Sequence, residues 1–332
     1  MDNDVIKIGE LEVKPGEKAY HWFPIGQMLD GSAFRIPLII INGKRPGPKL
    51  LVGGCVHGDE VIGTEAVKTI AKQLTPEDIS GIFIGAPITN IASYMSLARV
   101  DTLETPIGAN DMSSLWQTGT LEGSMTERAA AFFRDKVMAL VEYYIEIHSS
   151  AVGSYNSPRA IIAGDYAELD PVVRRRIDEL GIACNFEVIF KPESPSWKGM
   201  YFPPRRFFEE RGVAKIVLET GGAPTIDDVE TMKEGINNIM KHIDMIPGEP
   251  NLGNKQTYCG KLVAIRSNSG GIFRAAARLR DRVGKGDKLG EVTDVFDNIV
   301  EEVIAPTNGI IVKIATSAAV YTGIRLIVLA VP

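Results

Sequence analysis

The sequence predicts an α/β fold, a mixed sheet flanked by helices, followed by a small all-β domain. Three observations carry that expectation. The run Leu50-Leu51-Val52-Gly53 is apolar and β-like, breaks at Gly53-Gly54, and leads into residues 61–74. There Val61, Ile62, Ala66, Val67, Ile70, Ala71 and Leu74 recur at roughly helical spacing. Next, Gly81 to Pro87 reads as another short strand and closes a β-α-β unit, which implies parallel strands with helices on their faces. Finally, after Pro247, Gly248, Pro250 and Gly253 the helical signal vanishes, and short β runs alternate with Gly-rich turns to the end. With 332 residues the chain is long for one core, so two domains are expected, 1–250 and 255–332.

In chain order, residues 5–49 read as β-rich, with strands at 5–8 and 34–41 and turns at Pro15-Gly16 and Asp30-Gly31. The first helix and the strand at 81–87 come next. Residues 90–124 lack clear periodicity, and a stretch that long inside a compact domain is usually functional or disordered. A helical pattern over 127–141 then precedes the strand Tyr143-Tyr144-Ile145-Glu146-Ile147-His148. Strands near 160–163 and 187–190 flank a helix at about 170–180. A loop rich in Pro and aromatics (192–204) leads to a short helix at 205–211 and the strand Ala214 to Glu219. An amphipathic helix at 226–243 ends the first domain.

Composition narrows the class of function. The chain is 45% hydrophobic and 23% charged, as in ordinary globular proteins, and its net charge of -6 argues against a nucleic-acid binder. Cys55, Cys184 and Cys259 are odd in number and widely spaced, as expected of reduced thiols rather than disulfides or a cysteine-built metal site. The N-terminus lacks the pattern of a signal peptide, and no apolar run approaches the roughly 20 residues of a membrane helix. A cytoplasmic protein with no nucleic-acid or membrane partner is expected.

Three strands end in an imidazole or carboxylate followed by small residues, at His57, His148 and Glu219. Two of the four histidines occupy these equivalent positions. Carboxyl ends of strands are where α/β proteins place their chemistry. His57 and Glu60 can point at one centre across their turn, and with His148 they supply the His/Glu donors zinc favours. Zinc held this way keeps a fourth position for water and lowers its pKa toward neutral. Glu219 is the candidate base, and Arg99 the candidate partner for a developing oxyanion, unless Arg99 simply packs on its loop. His21 and His242 read as structural or solvated, as do the charge runs Arg174-Arg175-Arg176 and Arg278 to Arg282. Trp197, Tyr201 and Phe202 either line a substrate pocket or pin their loop to the core.

With His57-Gly58-Asp59-Glu60, Ile147-His148-Ser149 and Leu218-Glu219-Thr220-Gly221-Gly222 in place, the chain resembles the succinylglutamate desuccinylase/aspartoacylase family over nearly its whole length. The resemblance implies a zinc carboxypeptidase-like fold and an amidohydrolase with one zinc per chain, held by His57, Glu60 and His148. Glu219 matches that family's catalytic carboxylate, and Asn90 and Arg99 fall where it carries an Asn and a carbonyl-polarising Arg. Glu146, two residues before His148, matches a position that usually holds Asp and suits a carboxylate supporting the ligand.

One segment departs from the pattern. The family's Asp-Leu-Asn-Arg is best matched by Asp111-Met112-Ser113-Ser114, so Asp111 is kept while the Asn-Arg pair that holds a substrate carboxylate becomes two serines. Loss of a bidentate guanidinium is not neutral, so Arg159, Arg205 or Arg206 takes over, or the substrate is not an acidic N-acyl amino acid. The C-terminal turns resemble a biotinyl/lipoyl-type barrel-sandwich. The hairpin that would carry the modified lysine reads Val295-Phe296-Asp297-Asn298-Ile299-Val300, so packing, oligomerisation or lid roles are expected instead. The expected reaction is hydrolysis of the amide of a small N-acylated amino acid or amine by a homo-oligomer. Asn90, Asp111, Arg159 and Tyr201 are the candidate substrate-binding residues. A metallocarboxypeptidase-like peptidase, a non-catalytic zinc protein and a scaffold led by the β domain are the alternatives.

Overall fold

A computed structural model of the chain describes residues 4–102, 111–162, 169–192, 208, 211–253 and 255–332. The chain opens with a hairpin, β1 (Ile6–Ile8) and β2 (Leu11–Val13). Two long antiparallel strands follow, β3 (Lys18–Gln27) and β4 (Ala33–Asn42), joined by the Asp30-Gly31 turn. Gly31 takes φ 81° there, a conformation glycine adopts without steric cost, and the Asp30 carboxylate accepts the Ser32 N–H. The β-α-β unit is present as β5 (Arg45–Gly53), α1 (Ile62–Gln73) and β6 (Ser80–Ala86). Next come α2 (Ile91–Met95), α3 (Met125–Phe132), β7 (Tyr143–Ser150) and β8 (Ser154–Ile161). The first part ends with α4 (Pro171–Ala183), β9 (Val188–Phe190), β10 (Ala214–Gly222) and α5 (Val229–His242).

The expected helix at 127–141 is shorter and broken. Ser124 and Glu127 cap its start reciprocally. After Phe132 the chain widens into a π turn over Phe133–Val137 and tightens into a 3-10 turn over Met138–Leu140. Phe132, Phe133, Val137 and Met138 are all inside the core across this change of pitch. Strand β8 also starts earlier than its apolar end at Ala160 suggested, because its first half is polar. The helix expected at 205–211 lies largely outside the described residues.

The central block β6-β5-β7-β10 is parallel, and β3, β4 and β8 join its sides antiparallel. Alternate side chains of these strands feed two different cores. Leu50, Val52, Phe83, Ile145 and Ile216 pack under α1, α4 and α5, whereas Leu51, Ile82, Ile84 and Tyr144 pack with Phe132, Phe133 and Trp116 on the other face. Burial on both faces is why these strands read as continuous apolar runs rather than alternating ones.

After α5 the chain is all β. The strands are β11 (Thr257–Cys259), β12 (Lys261–Arg266), β13 (Gly271–Ala275), β14 (Arg282–Val283) and β15 (Lys288–Thr293). They continue as β16 (Ile299–Ile304), β17 (Gly309–Ala315), β18 (Ala319–Val320) and β19 (Arg325–Val331). A four-stranded sheet, β16-β15-β13-β18, packs against one face of β12-β19-β17. The latter three extend the main sheet through β17, which pairs with β8, and β11 pairs with β9. The result is a mixed α/β protein with one 13-stranded sheet. No described helix is long and apolar enough to cross a membrane, and Cys55, Cys184 and Cys259 are all free and buried.

Candidate active site

The sheet's parallel register brings the strand ends together. Gly53 of β5 lies opposite Glu146 of β7, and His148 of β7 lies opposite Glu219 of β10. Two close backbone approaches fix the turn after β5. A Cβ on Gly54 would meet Gly63 of α1 at 2.4 Å, and one on Gly58 would meet the Ser93 carbonyl of α2 at 1.9 Å. Only glycine fits at either point, so the turn is clamped between α1 and α2 with His57 and Glu60 facing β7. Cys55 also lies in this turn, but burial pushes its thiol up to about 12, which keeps it neutral and outside any ligand set.

His57, Glu60 and His148 are buried, with ligand atoms all within 4.8 Å of one another. His57 Nδ1 lies 2.9 Å from Glu60 Oε1, His148 Nδ1 lies 2.8 Å from Glu60 Oε2, and the two Nδ1 atoms are 3.1 Å apart. The far nitrogen of each ring meets another carboxylate. His148 Nε2 lies 3.0 Å from Glu146 Oε1, and His57 Nε2 lies 3.3 Å from Asp111 Oδ1. Those outer carboxylates favour the proton on Nε2 of both rings, which leaves two Nδ1 lone pairs converging beside a carboxylate. Lone pairs that close repel unless a cation lies between them, and a divalent metal with N/O preference fits this donor set.

Burial opposes charge on every member of this cluster, yet the mutual charges win. Glu60 and Glu146 are held well below the usual carboxylate range, Glu60 by the two histidines and Glu146 by Lys215 and His148. With no ion between them, the two carboxylates push His148 up to about 10, so a metal at Nδ1 takes the place of a proton there. Glu146 is itself held by Tyr144 Oη at 3.0 Å and Lys215 Nζ at 2.6 Å. The Lys215 ammonium lies 4.6 Å from the Phe208 ring centroid and 5.2 Å from that of Tyr144. This buried chain fixes the His148 ring from behind. Glu146→Gln is therefore expected to weaken metal affinity about 10- to 100-fold, read by competition with a chromogenic chelator.

Glu219 faces the histidines across a cavity of about 400 Å³. Its Oε2 accepts from Asn156 Nδ2 at 3.2 Å and pairs with Arg159, both on β8, which leaves Oε1 without a protein partner among the described residues. Arg159 is anchored in turn on the Val312 carbonyl of β17 at 3.1 Å. Arg99 sits at the rim with Nη1 3.0 Å from Glu60 Oε1 and Nη2 3.6 Å from Asp111 Oδ2.

The structure thus gathers His57, Glu60, Arg99, His148, Arg159 and Glu219 around one cavity and sets Asp111 against His57. Asn90 is not among the residues lining it and is buried as the N-cap of α2, with Oδ1 accepting the Ser93 N–H. Tyr201, Trp197 and Phe202 lie outside the described residues, as do Arg205 and Arg206. Sequence reasoning missed Asn156 and the contribution of the C-terminal strands, whose Leu262, Lys313, Arg325 and Val328 complete the cavity wall. One signal was present, a lone lysine inside the apolar run Ile310 to Ile314.

A family model described as the succinylglutamate desuccinylase/aspartoacylase catalytic domain matches residues 46–243. The Nα-acetyl-L-2,4-diaminobutyric acid deacetylase of Halomonas elongata is 24% identical over 306 residues, covering 90% of this chain and 86% of that protein. The product-bound structure of the ectoine utilization protein EutE (DoeB) from Ruegeria pomeroyi superposes with a TM-score of 0.81 at 21% identity, covering 97% of this chain and 98% of the other. A succinylglutamate desuccinylase/aspartoacylase structure from Rhodobacter sphaeroides gives 0.76 at 22% identity, with 95% and 94% covered. The likeness in fold therefore includes the C-terminal strands.

Proposed function

The chain belongs to the succinylglutamate desuccinylase/aspartoacylase family, and from that premise we propose that it hydrolyses the amide of a small N-acylated amino acid or amine with one zinc ion per chain. The family comprises deacylases and desuccinylases acting on N-acyl amino acids. The observation that carries the reading is the convergence of His57 Nδ1, His148 Nδ1 and the Glu60 carboxylate on one point beside Glu219. Zinc, when bound by these three side chains, supplies a Lewis acid and lowers the pKa of water.

The chain's own groups do the rest. Glu219 takes a proton from the attacking water and delivers it to the leaving nitrogen, so that the C–N bond breaks to a carboxylate and an amine. Arg159 and Asn156 hold that carboxylate by Oε2 and leave Oε1 for the proton. Arg99, at the rim, neutralises charge that develops on the carbonyl oxygen. Asp111 orients His57, and Asn90 supports the α2 end of the clamped turn.

The same reading takes residues 1–250 as a zinc carboxypeptidase-like unit. It takes 255–332 as a barrel-sandwich module, with no lysine at the Val295 to Val300 hairpin, and it takes the whole as a cytoplasmic homo-oligomer. The test is amine release by the zinc-loaded protein from a panel of Nα-acyl amino acids, beside peptides with free C-termini. Turnover of acyl amino acids, abolished by chelation and restored by zinc, is expected. Turnover confined to the peptides would favour the carboxypeptidase-like alternative.

A further inference from the structure

Lys313 and Arg325 enter the cavity through two departures from strand alternation. In β17, Ile310 and Val312 pack on the same side as Val328 and Ala330, while Ile311 packs in the opposite core. Alternation would send residue 313 after Ile311. A register shift against β19 between Ile311 and Lys313 instead sets Lys313 beside Val328, at the cavity wall. In β19 a second shift, against β12, pairs Arg325 with Arg266, and Leu326 joins Ile327 in the far core. That turns Arg325 to the cavity as well. Irregularities of this kind re-aim side chains beside sites.

Neither head group makes a hydrogen bond or ion pair among the described residues, and Arg325 Nε is buried without a partner. Burial disfavours charge on Arg325, and so do the charges that act on it, Arg266 and Arg159, both like in sign. Burial pushes Lys313 down to about 8 although the Glu219 carboxylate across the cavity favours its charge, and Lys313 makes no direct pair with that carboxylate. The other cavity cations are engaged, Arg159 with Glu219 and the Val312 carbonyl, Arg99 with Glu60. Ser113 and Ser114 spend their hydroxyls within their own turn, on Asp111 Oδ1 and on the Asp111 carbonyl, both at 2.6 Å. Two cations without a direct partner in a partly dry cavity, beside the Glu219 carboxylate already paired with Arg159, call for a further anion.

We propose that Lys313 and Arg325 hold the carboxylate of the substrate, which makes the C-terminal strands the specificity wall of the site. The nature of the ligand as an N-acyl amino acid rests on the hydrolase reading above. Arg325 supplies a planar fork suited to a carboxylate and Lys313 a point charge beside it. An acyl amino acid placed with its carboxylate here has its amide directed back toward His57, His148 and Glu219.

The test compares Nα-acetyl-L-2,4-diaminobutyric acid and Nα-acetylglycine, each beside its α-carboxamide, by calorimetry on the zinc-loaded protein. Wild type is expected to bind the acids roughly 10- to 100-fold more tightly than the carboxamides. Lys313→Met and Arg325→Gln should each remove most of that preference and leave carboxamide binding unchanged, whereas Lys313→Arg keeps it. Equal binding of acid and carboxamide by wild type, absence of binding included, overturns the proposal. So does a preference that survives both substitutions. A carboxylate preference without amine release would sink the hydrolase reading and leave this one standing. Amine release with the preference intact in both variants would do the reverse.

Discussion

Glu219→Gln is expected to lower kcat by about 10²- to 10⁴-fold, with the metal still bound at one per chain. The substitution keeps the shape and the carbonyl oxygen that accepts from Asn156 and Arg159, so the β8–β10 contact survives. What it removes is the ability to take a proton. Glu219 lies opposite His148 in the parallel register, on the neighbouring strand, and faces the same cavity. No other carboxylate among the described residues is so placed. Glu60 and Glu146 are committed to the histidines, and Asp111 lies against the outer face of His57. Steady-state amine release and metal analysis on the same preparation provide the measurement. A fall in kcat with little change in KM marks the loss of a group that acts in the chemical step. Near-normal turnover by a fully metallated Gln variant would mean that the proton leaves by another route.

How far the sequence disclosed this site depended on the kind of strand that carries each residue. His57, His148 and Glu219 stand where continuous apolar runs stop, and in a sheet buried on both faces that boundary is visible without any structure. The β-α-β order then makes the strands parallel, so their carboxyl ends share one edge, and the three side chains follow. Asn156 and Arg159 were harder to place because the first half of β8 is polar and carries no strand pattern. Its polarity has a cause in the fold, since that segment borders the cavity and must present groups to Glu219. Lys313 and Arg325 were hidden for a different reason. Their orientation is set by two register shifts, and strict alternation assigns both to the wrong face. The break after Phe132 was equally hidden, because a π turn moves the helical phase without altering the residue types. Residue type and periodicity thus reach as far as regular geometry extends, and the irregular positions here are the ones that shape the cavity.

The double substitution His57→Ala, His148→Ala is expected to reduce bound zinc from about one per chain to background and to abolish turnover. Its effect on stability reports the charge left behind on Glu60, while its zinc content tests the metal centre. Glu60 is 1% exposed, and without the imidazoles it retains only Arg99 Nη1 at 3.0 Å and the Ser149 N–H at 3.1 Å. A buried carboxylate stripped of its main partners costs about 3–5 kcal/mol, visible as a lower denaturation midpoint. Adding Glu60→Gln to the double variant removes the stranded charge and should recover much of that loss without restoring metal. Retention of stoichiometric zinc by the double variant would mean that the ion sits elsewhere and that the convergence of His57, Glu60 and His148 is structural. Loss of zinc would show that these side chains hold the ion, and recovery of stability in the triple variant would show that the double variant was destabilised by the lone Glu60 charge rather than by a collapsed fold.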